Sequence, residues 1–233
     1  MQGEKNDQLQ MEDFMLGRPA LVCRWRLASR ALPLENRHLR ALGRRSVGGA
    51  PVSPQLIAWA KQHIEWTLSE GAARNPDGVL MVIVDEGGRA AMTVGPYVPL
   101  EATALSALAE RALGAEHEAT ETGVAPESLW VVRGDQLVRG GSAERPLSGT
   151  DSLVRDLART AGMSVACEEG LARRALDGTT GFDEALLVSD EHGVVPASTA
   201  AGPRSQRLAD GYARLLESLR RRNRGAAGWP PRV

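Results

Sequence analysis

Three neighbouring side chains near the C-terminal end of the sequence could do acid–base chemistry. Asp190, Glu191 and His192 stand together in the segment Ser189–Gly193, between two apolar runs. A carboxylate beside an imidazole raises the affinity of the imidazole for its proton, which suits general acid–base catalysis. The same five residues are also typical of a polar turn between two strands. The segment therefore has both a catalytic and a purely structural interpretation.

The other histidines and the cysteines show no spacing that predicts a metal site. His38 and His63 fall in predicted helices, and His117 falls in a predicted loop, each without a second ligand nearby. Cys23 and Cys167 lie far apart, which favours two small buried hydrophobic residues over a disulfide. We therefore predict neither a metal ion nor a disulfide.

Composition excludes several classes of protein. The chain has 233 residues with 42% hydrophobic and 24% charged residues, as in a globular protein of one large or two small domains. Its formal net charge of −1 favours neither nucleic acid nor an anionic membrane as a partner. No apolar run approaches the roughly 20 residues of a membrane span, and the polar first ten residues do not resemble a signal peptide. We expect a cytoplasmic protein.

Alternating short strands and helices predict an α+β fold in two domains, with helices packed on mixed sheets. The continuous apolar run Val79–Val84 predicts a strand buried on both faces, and Arg89–Val94 its hairpin partner. Gly95–Pro99 interrupts all regular structure and is the predicted domain boundary. Glu116–Glu127 is predicted to be a polar loop.

These boundaries divide the chain into four predicted segments. A flexible N-terminal arm over 1–20 precedes a small α+β domain over 21–96. A second α+β domain follows over 97–224, and a disordered tail ends the chain over 225–233.

Several short segments resemble, in order and spacing, those of the fold-type IV pyridoxal-phosphate (PLP) enzymes. This family comprises the class IV aminotransferases, with the branched-chain and D-amino-acid aminotransferases and the aminodeoxychorismate lyases. The resemblance covers roughly residues 21 to 219. The segments that carry it are Leu32–Leu39, Arg133–Val138, Pro146–Thr150, Leu157–Gly162, Phe182–Val188 and Val194–Pro196.

The resemblance implies a two-domain fold, a homodimer and a lysine that forms a Schiff base with PLP. Only a primary amine can be exchanged by the amine of a substrate. The matching window, Tyr97–Thr103, contains no lysine, and the chain has two lysines in all. Lys61 falls in a helix of the other domain and Lys5 in the arm, so neither is at a matching position.

The resemblance also implies contacts with the rest of the cofactor. Arg37 and Thr150 match an arginine and a threonine that bind the phosphate. Asp190 stands where the family has a second phosphate-binding threonine, and a carboxylate there repels a phosphate by several kcal/mol. The glutamate at the pyridine nitrogen corresponds to Gly123, or to Glu121 if two residues were inserted.

We therefore expect that this chain uses no cofactor, PLP catalysis having been lost, and that it binds a small molecule in the former inter-domain cleft. The predicted function is a PLP-independent enzyme of bacterial specialised metabolism. Arg37, Thr150 and Glu121 are the predicted ligand-binding residues, and the 190–192 segment the predicted catalytic one. One alternative is a non-catalytic relative that serves as a binding or dimerisation partner. Another is a true PLP-dependent aminotransferase or lyase with a displaced lysine.

Overall fold

The computed structural model describes residues 15–227. Most of the predicted arm and of the predicted tail lies outside the described residues. The strands are β1 (Pro19–Arg26), β2 (Ser46–Val47), β3 (Ala50–Pro51), β4 (Val79–Asp85), β5 (Ala90–Gly95), β6 (Glu127–Arg133), β7 (Gln136–Gly140), β8 (Ser164–Glu168), β9 (Glu184–Ser189) and β10 (Gly193–Pro196). The helices are α1 (Glu35–Leu42), α2 (Pro54–Glu70), α3 (Leu105–Thr122), α4 (Gly149–Thr160), α5 (Leu171–Leu176) and α6 (Pro203–Ala227).

The first half of the chain forms a three-stranded antiparallel sheet in the order β1-β4-β5. Its central strand is the continuously apolar β4, which pairs with β1 so that Val82 lies opposite Cys23. Helices α1 and α2 add Leu42 and Ile64 to the core beneath it. The predicted hairpin of β4 and β5 is confirmed.

The second half forms a five-stranded sheet in the order β10-β9-β6-β7-β8, antiparallel except for the pair β7–β8. Its faces are covered by different helices because side chains alternate along a strand. Leu129 and Val131 of β6 pack with α3 and α5, whereas Trp130 and Val132 pack with α4 and α6. The α+β class with mixed sheets and packed helices is thus confirmed.

Helix α3 is longer than the sequence predicted. The segment Glu116–Glu127 was expected to be loop, but the helix continues to Thr122 and ends at Gly123, whose φ is 64°. Alanine and glutamate favour a helix, and Ala115, just before this segment, is buried. The polarity of this segment therefore marks a solvent-facing helix surface, and His117 belongs to a helix.

Both cysteines are free, as predicted. Cys23 is buried, and burial raises the pKa of its thiol to about 11. Cys167 is exposed, so the prediction of burial is wrong for this residue. It lies on β8, the edge strand of the larger sheet.

No helix in the described part of the chain is long and apolar enough to cross a membrane. Residues 15–227 also hold no group of three or more histidine, cysteine or acidic side chains that could bind a metal ion.

The two sheets meet at the turn between β9 and β10. The backbone N–H of Arg26, the last residue of β1, donates to the carbonyl of Asp190 at 2.9 Å. Gly193 ends the turn with φ 77°, and Tyr212 of α6 covers it so closely that a Cβ atom would collide with the phenol ring. This turn is therefore fixed from both sides.

The tight packing at Gly193 predicts a large loss of stability on a small substitution. Gly193→Ala should lower the free energy of unfolding by about 2–4 kcal/mol, because it adds a clash to an unfavourable φ. Gly114→Ala is the matched control, since Gly114 lies in α3 with open space around it and should gain up to about 1 kcal/mol. Urea denaturation of both variants measures the difference, and equal stabilities would contradict the described packing.

Candidate functional site

The N-terminus of α4 holds a carboxylate that the chain itself supplies. Ser148 caps the helix, and its hydroxyl accepts a hydrogen bond from the N–H of Asp151 at 3.0 Å. Beyond this cap, the N–H of Thr150 donates to Oδ1 of Asp190 at 2.7 Å. Nδ1 of His38 lies 3.3 Å from Oδ2 of the same carboxylate. Asp190 therefore joins α4, α1 and the turn after β9.

The surroundings of Asp190 keep it ionised. Burial alone would raise the pKa of its carboxyl group, but His38 and the N–H of Thr150 outweigh this effect and lower the pKa to about 2. A buried carboxylate with this many partners is held in place and has little tendency to transfer a proton near neutral pH. Its position at a helix N-terminus further favours the negative charge.

A second cluster lies on the other side of the turn, around His192. Glu127 accepts two hydrogen bonds from Arg111, at 2.9 Å from Nε and 2.6 Å from Nη2. Nη2 of Arg111 also lies 3.2 Å from Nε2 of His192, and the hydroxyl of Tyr97 lies 3.4 Å from Nδ1. A guanidinium group only donates, so Nε2 is the acceptor and the proton of a neutral His192 is on Nδ1.

His192 is neutral at physiological pH. Burial, together with the positive charges of Arg111 and Arg26, lowers its pKa to about 4. The predicted arrangement, in which a carboxylate stabilises the protonated imidazole, therefore does not form. Glu127 lies 3.4 Å from Nε2, but Arg111 engages both of its oxygens.

Glu191, between these two residues, faces open space. It lines a cavity of about 620 Å³ beside the linker residues 98–102, and a second of about 310 Å³ beside Arg24 and Glu127. Arg111 also lines both cavities, so they adjoin. We call the two cavities and their lining the linker–turn site. Burial raises the pKa of Glu191 above its ordinary value, and Arg24 is the main charge that opposes this shift.

The structure brings together some of the predicted site residues and separates others. Thr150 and the 190–192 segment lie close together, as described above. Arg37 lies on the face of α1 that meets α4, where its Nη1 donates to Asp156 at 2.8 Å and to Ser152 at 3.1 Å. Glu121 is exposed near the C-terminal end of α3 and makes no described contact with either cluster.

The sequence alone did not single out the arginines in and beside the linker–turn site, which are Arg24 and Arg111 in its lining and Arg26 beside it. Arg24 and Arg26 lie on one face of β1, since they are two residues apart, and this alternation was the available signal. The guanidinium group of Arg26 stacks on the ring of Tyr97, 3.2 Å from its centroid. Arg111 and Glu127 are about 16 residues apart in sequence, and only the packing of α3 on β6 joins them.

Comparison with known proteins identifies the fold. No known protein family matches the chain, and no curated protein does. A fold IV-transaminase from Curtobacterium pusillum is similar with a TM-score of 0.55 and 14% identity, over 85% of this chain and 84% of that one. For 4-amino-4-deoxychorismate lyase from Pseudomonas aeruginosa the TM-score is 0.53 and the identity 15%, over 86% and 91% of the chains. The chain therefore has the fold of the type IV PLP enzymes, as the resemblance implied.

The prediction that this chain uses no cofactor is wrong, because solved structures of the same fold contain PLP or PMP. A hypothetical aminotransferase from Mycobacterium tuberculosis has this fold in its PLP-bound form, with a TM-score of 0.53, 13% identity and coverage of 90% of this chain and 94% of that one. The same fold occurs in a form bound to α-ketoglutarate and PMP. Solved structures of this fold thus hold the cofactor, and a missing lysine in one window does not show that this chain has lost it.

The described residues of the site do not fit covalent attachment of PLP. Lys61 is the one lysine within 15–227, and it is exposed on α2. The N-terminus of α4, which the resemblance implied as a phosphate site, is engaged by the carboxylate of Asp190.

The contacts of Asp190 predict a pH-dependent contribution to stability. The folded-state pKa of about 2 lies below the ordinary value of 3.8, so the contribution is present above pH 4 and is lost as the pH falls toward 2. Asp190→Asn should therefore lower the free energy of unfolding by on the order of 2 kcal/mol at pH 7, and by less at pH 3. Urea denaturation at both pH values measures this.

Asp177→Asn is the matched control, because Asp177 is exposed at the end of α5. It should leave the stability unchanged at both pH values. A loss in Asp190→Asn that stays constant from pH 7 to pH 3 would show that the carboxylate charge is not what α4 and His38 recognise.

Proposed function

We propose that this chain binds a small molecule with a carboxylate or similar anionic group at the linker–turn site, and that Glu191 transfers a proton there. The observation that carries the proposal is the position of Glu191, which lines both adjoining cavities. No described residue donates a hydrogen bond to its carboxylate, whereas the carboxylates of Asp190 and Glu127 accept hydrogen bonds from Thr150 and Arg111.

Two guanidinium groups beside Glu191, those of Arg24 and Arg111, could contact an anionic group of a ligand. The lining of the two cavities as a whole carries a net charge of −3, so such contacts must be local. Arg24, Arg26 and Arg111 all act electrostatically on Glu191, and two of them line the cavity with it. Glu118 pairs with Arg24 at 2.8 Å, and Glu127 with Arg111, so the guanidinium groups are oriented before a ligand arrives. Oriented donors bind a carboxylate with little loss of side-chain entropy.

Proton transfer is the chemistry that Glu191 supports. A carboxyl group with a raised pKa is protonated more readily near neutral pH and can act as acid or base. His192 serves it indirectly. Because Nε2 accepts from Arg111 and Nδ1 lies beside the hydroxyl of Tyr97, His192 is held in a fixed position in the wall of the cavity.

A ligand screen with one variant tests the proposal. Thermal shift against small keto, hydroxy, amino and aromatic carboxylates should find binders, and NMR should then show which of them the protein converts. Glu191→Gln should bind the same compound and lower its turnover about 10²–10⁴-fold. Conversion that is unchanged in Glu191→Gln would overturn the assignment of the proton to this residue.

The same screen separates the alternatives. PLP and PMP belong in it, because solved structures of this fold hold them. A visible absorbance band with PLP that disappears in Lys61→Ala would contradict the proposal in favour of a displaced lysine. Binding without any conversion would favour a non-catalytic binding protein. The homodimer that the resemblance implied stays a prediction.

The position of Glu191 also predicts a measurable pKa. Its carboxyl group should titrate above 4.5, since burial is the largest effect on it. Arg24→Gln should raise this pKa further, because Arg24 is the main opposing charge. A ¹³C NMR titration of the glutamate side chains measures both values.

Arg18→Gln is the control for this titration, since Arg18 is a largely exposed arginine paired with Glu86 at 3.8 Å. It should leave the pKa of Glu191 unchanged. A pKa at or below 4.5 in the unmodified protein would show that Glu191 is solvated like a surface residue.

A further inference from the structure

A basic cavity of about 350 Å³ lies between α1 and α4. Four guanidinium groups and one carboxylate line it, those of Arg37, Arg40, Arg44, Arg155 and Asp156. The lining therefore carries a net charge of +3, although the whole chain carries −1. The guanidinium groups that line the cavity repel one another. A ligand that carries negative charge therefore stabilises the cluster.

The single acidic group of this cavity is already engaged. Nη1 of Arg37 lies 2.8 Å from Oδ2 of Asp156, and Nη2 of Arg155 lies 3.3 Å from Oδ1. The hydrogen bond from Arg37 lowers the pKa of Asp156, which is therefore ionised and shared between two cations. Arg40 and Arg44 are exposed, and neither has an ion-pair partner among the described residues.

We propose that this cavity binds the diphosphate or triphosphate group of a small molecule. Two linked phosphate groups carry roughly three negative charges near neutral pH, which matches the net charge of the lining. The planar fork of a guanidinium group fits two phosphate oxygens at once. Ser148 and Ser152 line the same wall, but their hydroxyl groups are engaged within the chain, so the guanidinium groups are the binding groups.

The dimensions of the cavity favour a small ligand over a nucleic acid. The four arginines converge on one concave space between two helices and form no extended track along the surface. A nucleic acid binds through many phosphates along a groove, and a protein with net charge −1 offers no broad field to attract it. A monocarboxylate would neutralise only one of the unpaired charges.

Calorimetric titration of the full chain with inorganic diphosphate, at low ionic strength and pH 7.5, tests the proposal. One site per chain is expected. Arg40→Gln/Arg44→Gln should weaken binding at least about tenfold, because each lost contact is a charge-assisted hydrogen bond. Both side chains are exposed, and circular dichroism should show an unchanged fold.

Arg159→Gln/Arg173→Gln is the matched control. It removes the same charge from exposed positions at the end of α4 and on α5, outside the cavity lining. It should bind diphosphate as the unmodified protein does. Equal weakening in both double variants, or no heat of binding at millimolar diphosphate, would overturn the proposal.

Two further measurements identify the ligand and separate this site from the linker–turn site. Fluorescence anisotropy with duplex DNA should show no binding that depends on Arg40 and Arg44; such binding without diphosphate binding would overturn the assignment. The two sites share no lining residue. Binding of a small carboxylate ligand at the linker–turn site should therefore persist in Arg40→Gln/Arg44→Gln, whichever way the diphosphate titration turns out.

Discussion

The buried carboxylate of Asp190 is the interaction on which the rest of the site depends. Removing such a charge from water costs several kcal/mol unless hydrogen bonds replace the lost hydration. The backbone N–H groups at the N-terminus of α4 provide that replacement, and His38 lies beside the carboxylate at 3.3 Å. The carbonyl of Asp190 accepts the N–H of Arg26. One residue thus holds the second sheet, α4, α1 and β1 together, and Glu191 and His192 follow it in fixed positions.

The partners of each charged group decide which of them is available for chemistry. Asp190 accepts a hydrogen bond from Thr150 and Glu127 accepts two from Arg111, whereas His192 is held neutral between Arg111 and Tyr97. Glu191 alone in this turn combines a raised pKa with access to a cavity. Three adjacent residues that look equivalent in sequence therefore have three different roles.

The fold is shared with solved PLP enzymes at 13–15% identity. Similarity at this level follows from the alternation of buried side chains on two sheets, which many sequences satisfy. Functional groups are not constrained in that way, because a single substitution changes a site without disturbing the core. The fold of this chain therefore does not determine its chemistry. The chemistry depends on the residues around Glu191 and in the basic cavity.

Much of the architecture was predictable from sequence because it depends on local patterns. The apolar run of β4 indicated a doubly buried strand, and the residues after it indicated the hairpin with β5. The lack of a lysine in the linker was equally visible, although its consequence for the cofactor was overstated. The length of α3 was missed, because its polar surface resembles a loop when the buried alanines opposite are not recognised.

The site was decided by tertiary structure, because its contacts join residues that are distant in sequence. Sequence order placed Asp190, Glu191 and His192 side by side, but only folding directed one to a helix N-terminus, one to a cavity and one to a guanidinium group. Arg37 was assigned by resemblance to the phosphate of PLP beside Thr150, and the packing of α1 on α4 places it beside Asp156 in a separate cavity. Hydrogen-bond partners and burial set the charge of a group, and neither can be read from the residues next to it in the chain.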